Sequence, residues 1–485
     1  MVEYKWVALS NTTLGTLMAS LDTNIVLIAL PTIAKSLPQT SLFDLLWVLL
    51  GYQLVTASVL VNFGRLADMF GRVKLYNFGF AVFTVGSALC SLSHTGAELI
   101  AFRMVQAVGS AFLFSNSAAI LTDAFPVTER GKALGTNQVA IVVGSVTGLV
   151  LGGFLTVAAG WRSIFWVNVP IGVFATVWAH YRLRELASIR KGQKIDLPGN
   201  LTFAGGLTCI LTAITLYSLS SLSFDLLVTL IALGTAFLVA FGYIESKVKS
   251  PMFNLSLFRI RMFAAGNAAI FLNAFARGAV SLVLVFYLQG PTMRLDPLTA
   301  GIFLTPISAS LAFFGPISGW LSDKYGARGL ATLGLVVSCV GFLLLTRIGQ
   351  TTTFPKLAFP LILVGSGMGI FASPNRASIM NSVPAEERGL ASGTSTTLVN
   401  VGNTFSLGLA FLVMTINTPI SNLEAIFLGS STVGSDAPWI GEYITSIHSV
   451  FLISTVMLLV AIIPSLMRGR GSLVRDGSSS KAHRP

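Results

Sequence analysis

The chain has 485 residues, 53% of them hydrophobic and only 10% charged, with a mean hydropathy of +0.78 and a formal net charge of +12. A soluble domain carries about a quarter charged residues, so a water-soluble core of this size is excluded. The composition is that of a polytopic membrane protein.

Apolar runs able to cross about 30 Å of hydrocarbon as helices of roughly 20 residues recur along the chain. Fourteen spans are expected, near 7–34, 43–63, 75–94, 98–122, 134–157, 163–182, 198–220, 224–244, 262–288, 297–321, 329–347, 357–379, 392–416 and 445–467. The first follows a short polar lead with no small-residue cleavage site, and so reads as a retained helix. Basic residues crowd one side of this topology. Lys35, Arg162, Arg294, Arg347 and Lys356 fall on the other side, and Arg103, Arg277 and Arg376 fall within spans. The positive-inside rule then puts both termini in the cytoplasm of a cell-membrane protein. It also accounts for the net charge without nucleic acid.

Span one carries Asp22 about two thirds of the way along, with Leu, Ile and Val after it. An intramembrane carboxylate costs about 2.5–3.5 kcal/mol on insertion scales and by default marks an ion or proton pathway. It is the one acid placed deep in any span. Asp44, Glu98, Asp123 and Asp225 fall near span ends, where water reaches them. Asp22 either carries a coupled proton or is the fixed partner of a buried Arg. Arg103 in span four is that partner by depth: roughly 21 Å from one face for Asp22 and roughly 7 Å from the other for Arg103, at about 1.5 Å per residue. Gln106, one turn on, shares its face.

After span two comes "GRLADMFGR" (Gly64 to Arg72), and after span ten "GWLSDKYGAR" (Gly319 to Arg328). Gly64 and Gly71, and their repeats Gly319 and Gly326, suit close approaches or positive φ. Asp68 and Arg72, repeated as Asp323 and Arg328, can clamp helix ends in one conformational state and release them in another. The plainer reading is topology charges in a tight turn. A second pair, "ERGKALG" (Glu129 to Gly135) and "ERGLASG" (Glu387 to Gly393), follows spans four and twelve. The two offsets, 255 and 258 residues, nearly agree. They mark a parallel repeat: an N-terminal six-helix bundle (1–185), a linker with two additional spans (186–261), a C-terminal six-helix bundle (262–467) and a polar tail (468–485).

Span five places Gly144, Gly148 and Gly152 at i, i+4 and i+8, with Gly153 beside them. Such a bare face lets helix backbones approach closely. Arg277 in span nine has no buried acid in its own half. It either faces an aqueous cavity and attracts an anionic or electron-rich group, or snorkels to an interface. Asn116, Gln138 and Asn400, with Gln106 and Arg277, are candidates for a central cavity. Cys90, Cys209 and Cys339 lack metal spacing and read as packing residues.

"GRLADMFGR", with its weaker return in the second half, resembles the signature loop of the major facilitator superfamily. Fourteen spans, with "LDTNIVLIALP" (Leu21 to Pro31), "WRSIFWVNVPIG" (Trp161 to Gly172) and "FYLQ…AGIFLTP" (Phe286 to Pro306), narrow the resemblance to its fourteen-helix drug:proton antiporter branch. The resemblance implies an all-α major facilitator fold and alternating access. "RMVQAVGSA" (Arg103 to Ala111) resembles the superfamily's fourth-helix motif, whose Arg assists proton movement. "GSVTGLVLGG" resembles the antiporter motif G-x-x-x-G-P-x-x-G-G, with Leu149 at the proline position, which weakens the sign of transport.

Proton-coupled efflux of amphiphilic small molecules is therefore the expected function, with small-molecule substrate, protons and bilayer as partners, no cofactor, and a monomer as working unit. Proton-linked uptake of a metabolite is the alternative. A membrane enzyme would need clustered His or carboxylates at one face, and His94, His180, His448 and His483 are scattered. A phosphate-binding Gly-rich loop followed by Lys-Ser/Thr is lacking, so ATP is not the expected energy source.

Overall fold

The computed structural model describes residues 3–37, 39–126, 129–186, 196–248, 251–384, 387–428 and 439–468, with the backbone alone at Asp323. The run up to Lys194, much of the 420–444 connection, the Asp323 side chain and the tail past Arg468 lie outside the described residues. The described chain is helical: α1 (Tyr4–Ser36), α2 (Leu42–Phe70), α3 (Arg72–Ser91), α4 (Gly96–Ala124), α5 (Arg130–Ala159), α6 (Ser163–Trp166), α7 (Asn168–Arg182), α8 (Leu197–Ser218) and α9 (Phe224–Lys247). A 3-10 turn precedes α10 (Arg261–Arg277), α11 (Val280–Gln289), α12 (Pro297–Tyr325), α13 (Ala327–Leu345), α14 (Phe354–Asn381), α15 (Arg388–Asn417), α16 (Ile420–Phe427) and α17 (Ile440–Met467).

These helices supply 14 segments long and apolar enough to cross a membrane, with α6–α7 and α10–α11 each forming one segment. Helices are the expected solution because lipid offers no partner for an unpaired backbone group. Polar caps close several ends. Ser41 and Asp44 form a capping box at α2, Thr95 caps α4, Ser223 caps α9, and Asp296 caps α12 just before Pro297.

The two glycine-and-charge stretches differ from expectation. Neither is a loop for most of its length, because α2 runs on to Phe70 and α12 to Tyr325. Gly64 and Gly319 are therefore helical. A Cβ at Gly64 would meet nothing within 4 Å, and one at Gly319 only Ser373 at an ordinary 3.5 Å. The backbone ladder on both sides outweighs the roughly 1 kcal/mol cost of a helical glycine. Each turn is a single residue instead, Gly71 at φ 107° and Gly326 at φ 84°.

Packing repeats with the sequence. In the first half α1 packs on α5, α2 on α4, α3 on α4 and α3 on α7. In the second, α10 packs on α15, α12 on α14, α13 on α14 and α13 on α17. Two seams join them, α5 with α12 and α2 with α15. The pair α8–α9 lies against the second seam, through α8 on α2 and α15. It is anchored where Phe203, Phe241 and Phe253 pack with centroids 5.1 to 5.7 Å apart. We call the face where α1 begins and α2 and α4 end the basic face, and the other the outer face.

Candidate functional site

Asp22 and Arg103 meet. The Arg103 Nη1 donates to Asp22 Oδ2 at 2.5 Å and to Gln106 Oε1 at 2.6 Å. Gln106 Nε2 donates to Asp22 Oδ1 at 2.8 Å and to Ser87 Oγ at 2.6 Å. Asn168 Nδ2, at the start of α7, donates to the same Oδ1 at 3.0 Å. The guanidinium lies 4.1 Å from the Tyr52 ring centroid, within cation–π range. Asp22, Gln106, Ser87 and Asn168 are fully buried, and Arg103 is 1% exposed.

Local structure explains the convergence. Spacing of i, i+3 puts Arg103 and Gln106 on one face of α4. Gly86 lets α3 close on that face, since a Cβ there would lie 2.7 Å from Gln106 Cα. On the other side of α1, Cβ atoms at Gly144 and Gly148 would lie 2.7 and 2.6 Å from the carbonyl oxygens of Leu17 and Leu21. The bare face of α5 therefore packs directly beside Asp22. Helix α5 is continuous through Leu149, with no bend residue inside it.

Chemically, the cluster is a neutral ion pair whose carboxylate is held by three side chains. Removing one partner of such a pair costs about 3–5 kcal/mol. A proton placed on Asp22 would remove its charge and leave Arg103 uncompensated, with Gln106 Oε1 and the Tyr52 and Phe165 rings as neutral company. The cluster joins α1, α3, α4 and α7. Arg103 Nε and Asn168 Oδ1 lack partners among the described residues. Ser87, Tyr52 and Asn168 escape sequence reading because single polar residues in spans are common. Asn168 had the better signal, inside "WRSIFWVNVPIG".

A second constellation lies at the basic face. Arg72 Nε donates to Asp68 Oδ1 at 2.8 Å, and Arg72 Nη1 reaches both Asp123 oxygens at 2.8 Å. One guanidinium therefore pins the ends of α2 and α4 to the start of α3. Glu185 Oε2 accepts from Val73 N at 2.9 Å and crowds Gly71, where a Cβ would lie 2.8 Å from it. Asp123 is engaged in this clamp and is not simply wetted. In the second half Arg328 is exposed. Position 381, 258 residues after Asp123, is Asn.

The remaining candidates divide. Gln106 belongs to the ion-pair cluster and not to a cavity wall. Asn116 is 1% exposed and donates to Phe112 O of its own helix at 2.9 Å, so it lines no cavity. Gln138 is exposed and accepts from Arg376 Nη1 at 3.2 Å, which links α5 to α14. Asn400 and Arg277 are partly accessible. Gly152 packs on Ile25 and Ile28, whereas Gly153 turns to the other half, a Cβ there lying 2.5 Å from Pro297 O. The cysteines are free thiols, and no metal-binding cluster occurs among the described residues.

The family model described as Major Facilitator Superfamily matches residues 12–407 and, a second time, residues 267–485. The chain belongs to the major facilitator superfamily. The riboflavin transporter RibZ of Clostridioides difficile (strain 630) is 34% identical over 84% of this chain and 88% of that protein. Multidrug resistance protein 3 of Bacillus subtilis (strain 168) is 29% identical over 87% and 82%. A solved bacterial homologue of the human lysosomal transporter Spinster, inward-facing and unoccupied, superposes with a TM-score of 0.68. It covers 96% of this chain and 97% of that one, at 15% identity. These relatives are superfamily transporters and not enzymes, and this chain is a multi-pass membrane transporter.

Proposed function

We propose that the chain is a proton-coupled secondary transporter that exports amphiphilic small molecules by alternating access. Asp22 carries the proton and Arg103 is its counter-charge. The observation carrying this reading is the fully buried Asp22, bonded to Arg103, Gln106 and Asn168 at the junction of four helices. A static pair would serve packing alone. Here, one protonation takes the core from neutral to a net positive charge, which suits a carrier.

Residues 1–185 and 262–467 act as the two rocking bundles of a monomer in the cell membrane, and 186–261 contributes the additional helix pair. The α5–α12 seam is tight toward the outer face, where a Cβ at Gly301 would lie 2.4 Å from Leu149 O. Toward the basic face Gln138 and Arg376, which bond to each other across the halves, are exposed, and this supports access from the cytoplasmic side in this conformation. The glycine face of α5 and a relative named for multidrug resistance support export. The riboflavin transporter, at 34% identity, supports a second reading, proton-linked movement of a metabolite. Proteoliposomes with an imposed pH gradient, loaded with drugs and metabolites in turn, decide between them by the direction of flux.

Two further results are expected. Cysteines introduced at Thr351 should react with an impermeant maleimide added to intact cells, while those at Lys132 should react only after permeabilisation. The reverse pattern would invert the topology. At the basic face, Arg72→Ala and Asp123→Asn should each slow transport about 10-fold, the scale of a lost charge-assisted contact, with expression little changed. Asp68→Asn should cost less, because Arg72 uses a single oxygen of Asp68, which an amide oxygen can replace, and both oxygens of Asp123. Equal, wild-type rates in all three would reduce the clamp to a topology signal.

A further inference from the structure

Arg103, Arg277 and Arg376 fall within the spans expected from the sequence, and of these three only Arg103 is paired with an acid. Asp22 is committed to Arg103. Every other described acid in a membrane helix stands near an end. Asp44, Glu98, Asp225 and Glu442 are in first turns, and Asp68, Asp123 and Glu245 are in the closing turns of α2, α4 and α9. Arg277 and Arg376 therefore leave the C-terminal half with two uncompensated positive charges inside the membrane. Arg376 is exposed and bonded only to the neutral Gln138. Arg277 is partly accessible and has no partner among the described residues.

Arg277 also sits at a discontinuity. The ninth membrane segment, Arg261–Gln289, has its helical hydrogen-bond ladder interrupted between Arg277 and Val280, while Gly278 and Ala279 keep right-handed helical dihedrals. The break is built in, since Gly278 packs on Asn403, a Cβ there lying 2.7 Å from its Cα, and Ala279 N donates to Ser406 Oγ at 3.0 Å. One turn below Arg277, on the same face, Asn273 is 5% exposed and its Nδ2 has no hydrogen-bond partner. Gly266, in register with both, fixes this face toward α14, its Cβ position lying 2.5 Å from Ile379 Cγ1. Within the segment, then, a guanidinium and an amide N–H stand one turn apart on one helix face, beside an interrupted ladder, with nothing among the described residues to donate to.

We propose that this break is where the substrate's anionic group binds, held by Arg277 and Asn273, with Arg376 adding positive potential toward the basic face. The substrate class is then an amphiphilic organic anion, a carboxylate or phosphate on an apolar body, and lipophilic cations are disfavoured by the excess positive charge. This rests on the transporter reading above, but its test does not need proton coupling.

The test is equilibrium binding to the full-length protein in nanodiscs, without a gradient, by fluorescence anisotropy. The probes are carboxyfluorescein and rhodamine 123, which share a xanthene body and differ in charge. The wild type should bind the anion at least about 10-fold more tightly than the cation. Arg277→Gln should abolish that preference, and Arg277→Lys should keep most of it. Equal or tighter binding of rhodamine 123 by the wild type, or no binding of carboxyfluorescein, overturns the proposal even if no variant folds. So does a preference retained in Arg277→Gln. Anion selectivity without pH-driven transport would instead sink only the coupling.

Discussion

Asp22→Asn should abolish pH-gradient-driven transport by the protein in proteoliposomes while substrate binding survives. Asn holds the cluster in a neutral, proton-loaded mimic. Its amide keeps the size of the carboxyl and can still accept from Gln106, so loss of fold is not required for loss of function. What it cannot do is cycle. A gradient of one pH unit supplies about 1.4 kcal/mol per proton, and without an ionisable carrier none of that reaches α1 and α4. Arg103→Ala should impair the same step from the other side, because removing the cation favours the neutral acid and hinders proton release. Substrate binding that varies with pH in wild type should lose that dependence in Asp22→Asn. Transport at wild-type rates in monodisperse Asp22→Asn would remove Asp22 as carrier. The proton would then have to ride on an acid at a helix end, such as Asp123.

The fold was legible because membrane crossing is written in local composition. Fourteen apolar runs become fourteen spanning segments, and the repeated glycine-and-acid motifs reappear as equivalent helix pairings in the two halves. The helix ends were less legible. Hydropathy falls at Gly64, yet α2 continues to Phe70, because a helix leaving the bilayer still satisfies its own backbone. The motif therefore reads as a loop in sequence and is a helix end with a one-residue turn in space.

The site was legible only where a residue was costly. A carboxylate and a guanidinium within spans stand out against their surroundings, and depth alone matched Asp22 to Arg103. Ser87 and Tyr52 cost little to place in a helix, so nothing singled them out, and Asn168 was marked only by lying inside "WRSIFWVNVPIG". Asn116 illustrates the converse. A polar side chain can satisfy itself on its own helix, here on Phe112 O, and face no cavity at all. The partner of Arg72 also hid in plain view, since Asp123 looks solvated until the ends of α2 and α4 are brought together.

Gly153→Val should trap the protein with its outer face open and cut transport at least about 10-fold. The glycines of α5 do different work despite sharing one run of sequence. A Cβ at Gly152 meets α1 of the same half, 2.7 Å from the side chains of Ile25 and Ile28 and 2.9 Å from Ile25 Cα. At Gly153 it meets the backbone of α12, 2.5 Å from Pro297 O and 2.6 Å from Leu298 Cα, across the seam between halves. Backbone cannot move away without parting α5 from α12. Overpacking of this kind costs about 1–3 kcal/mol, and the molecule can avoid it by leaving the outer-closed conformation. A few kcal/mol is enough to invert a conformational equilibrium by 10-fold or more. Gly301→Val should act alike, because its Cβ meets Leu149 O on the same seam. Gly152→Ala should press on α1 inside the first half and leave the seam between halves closed. Spin labels on cysteines at His94 and Thr351, on the outer ends of the two halves, would report the change. Their separation should lengthen in Gly153→Val and Gly301→Val, and hold at the wild-type value in Gly152→Ala. If both seam variants kept the wild-type separation and still transported normally, the α5–α12 contact could not be the outer gate.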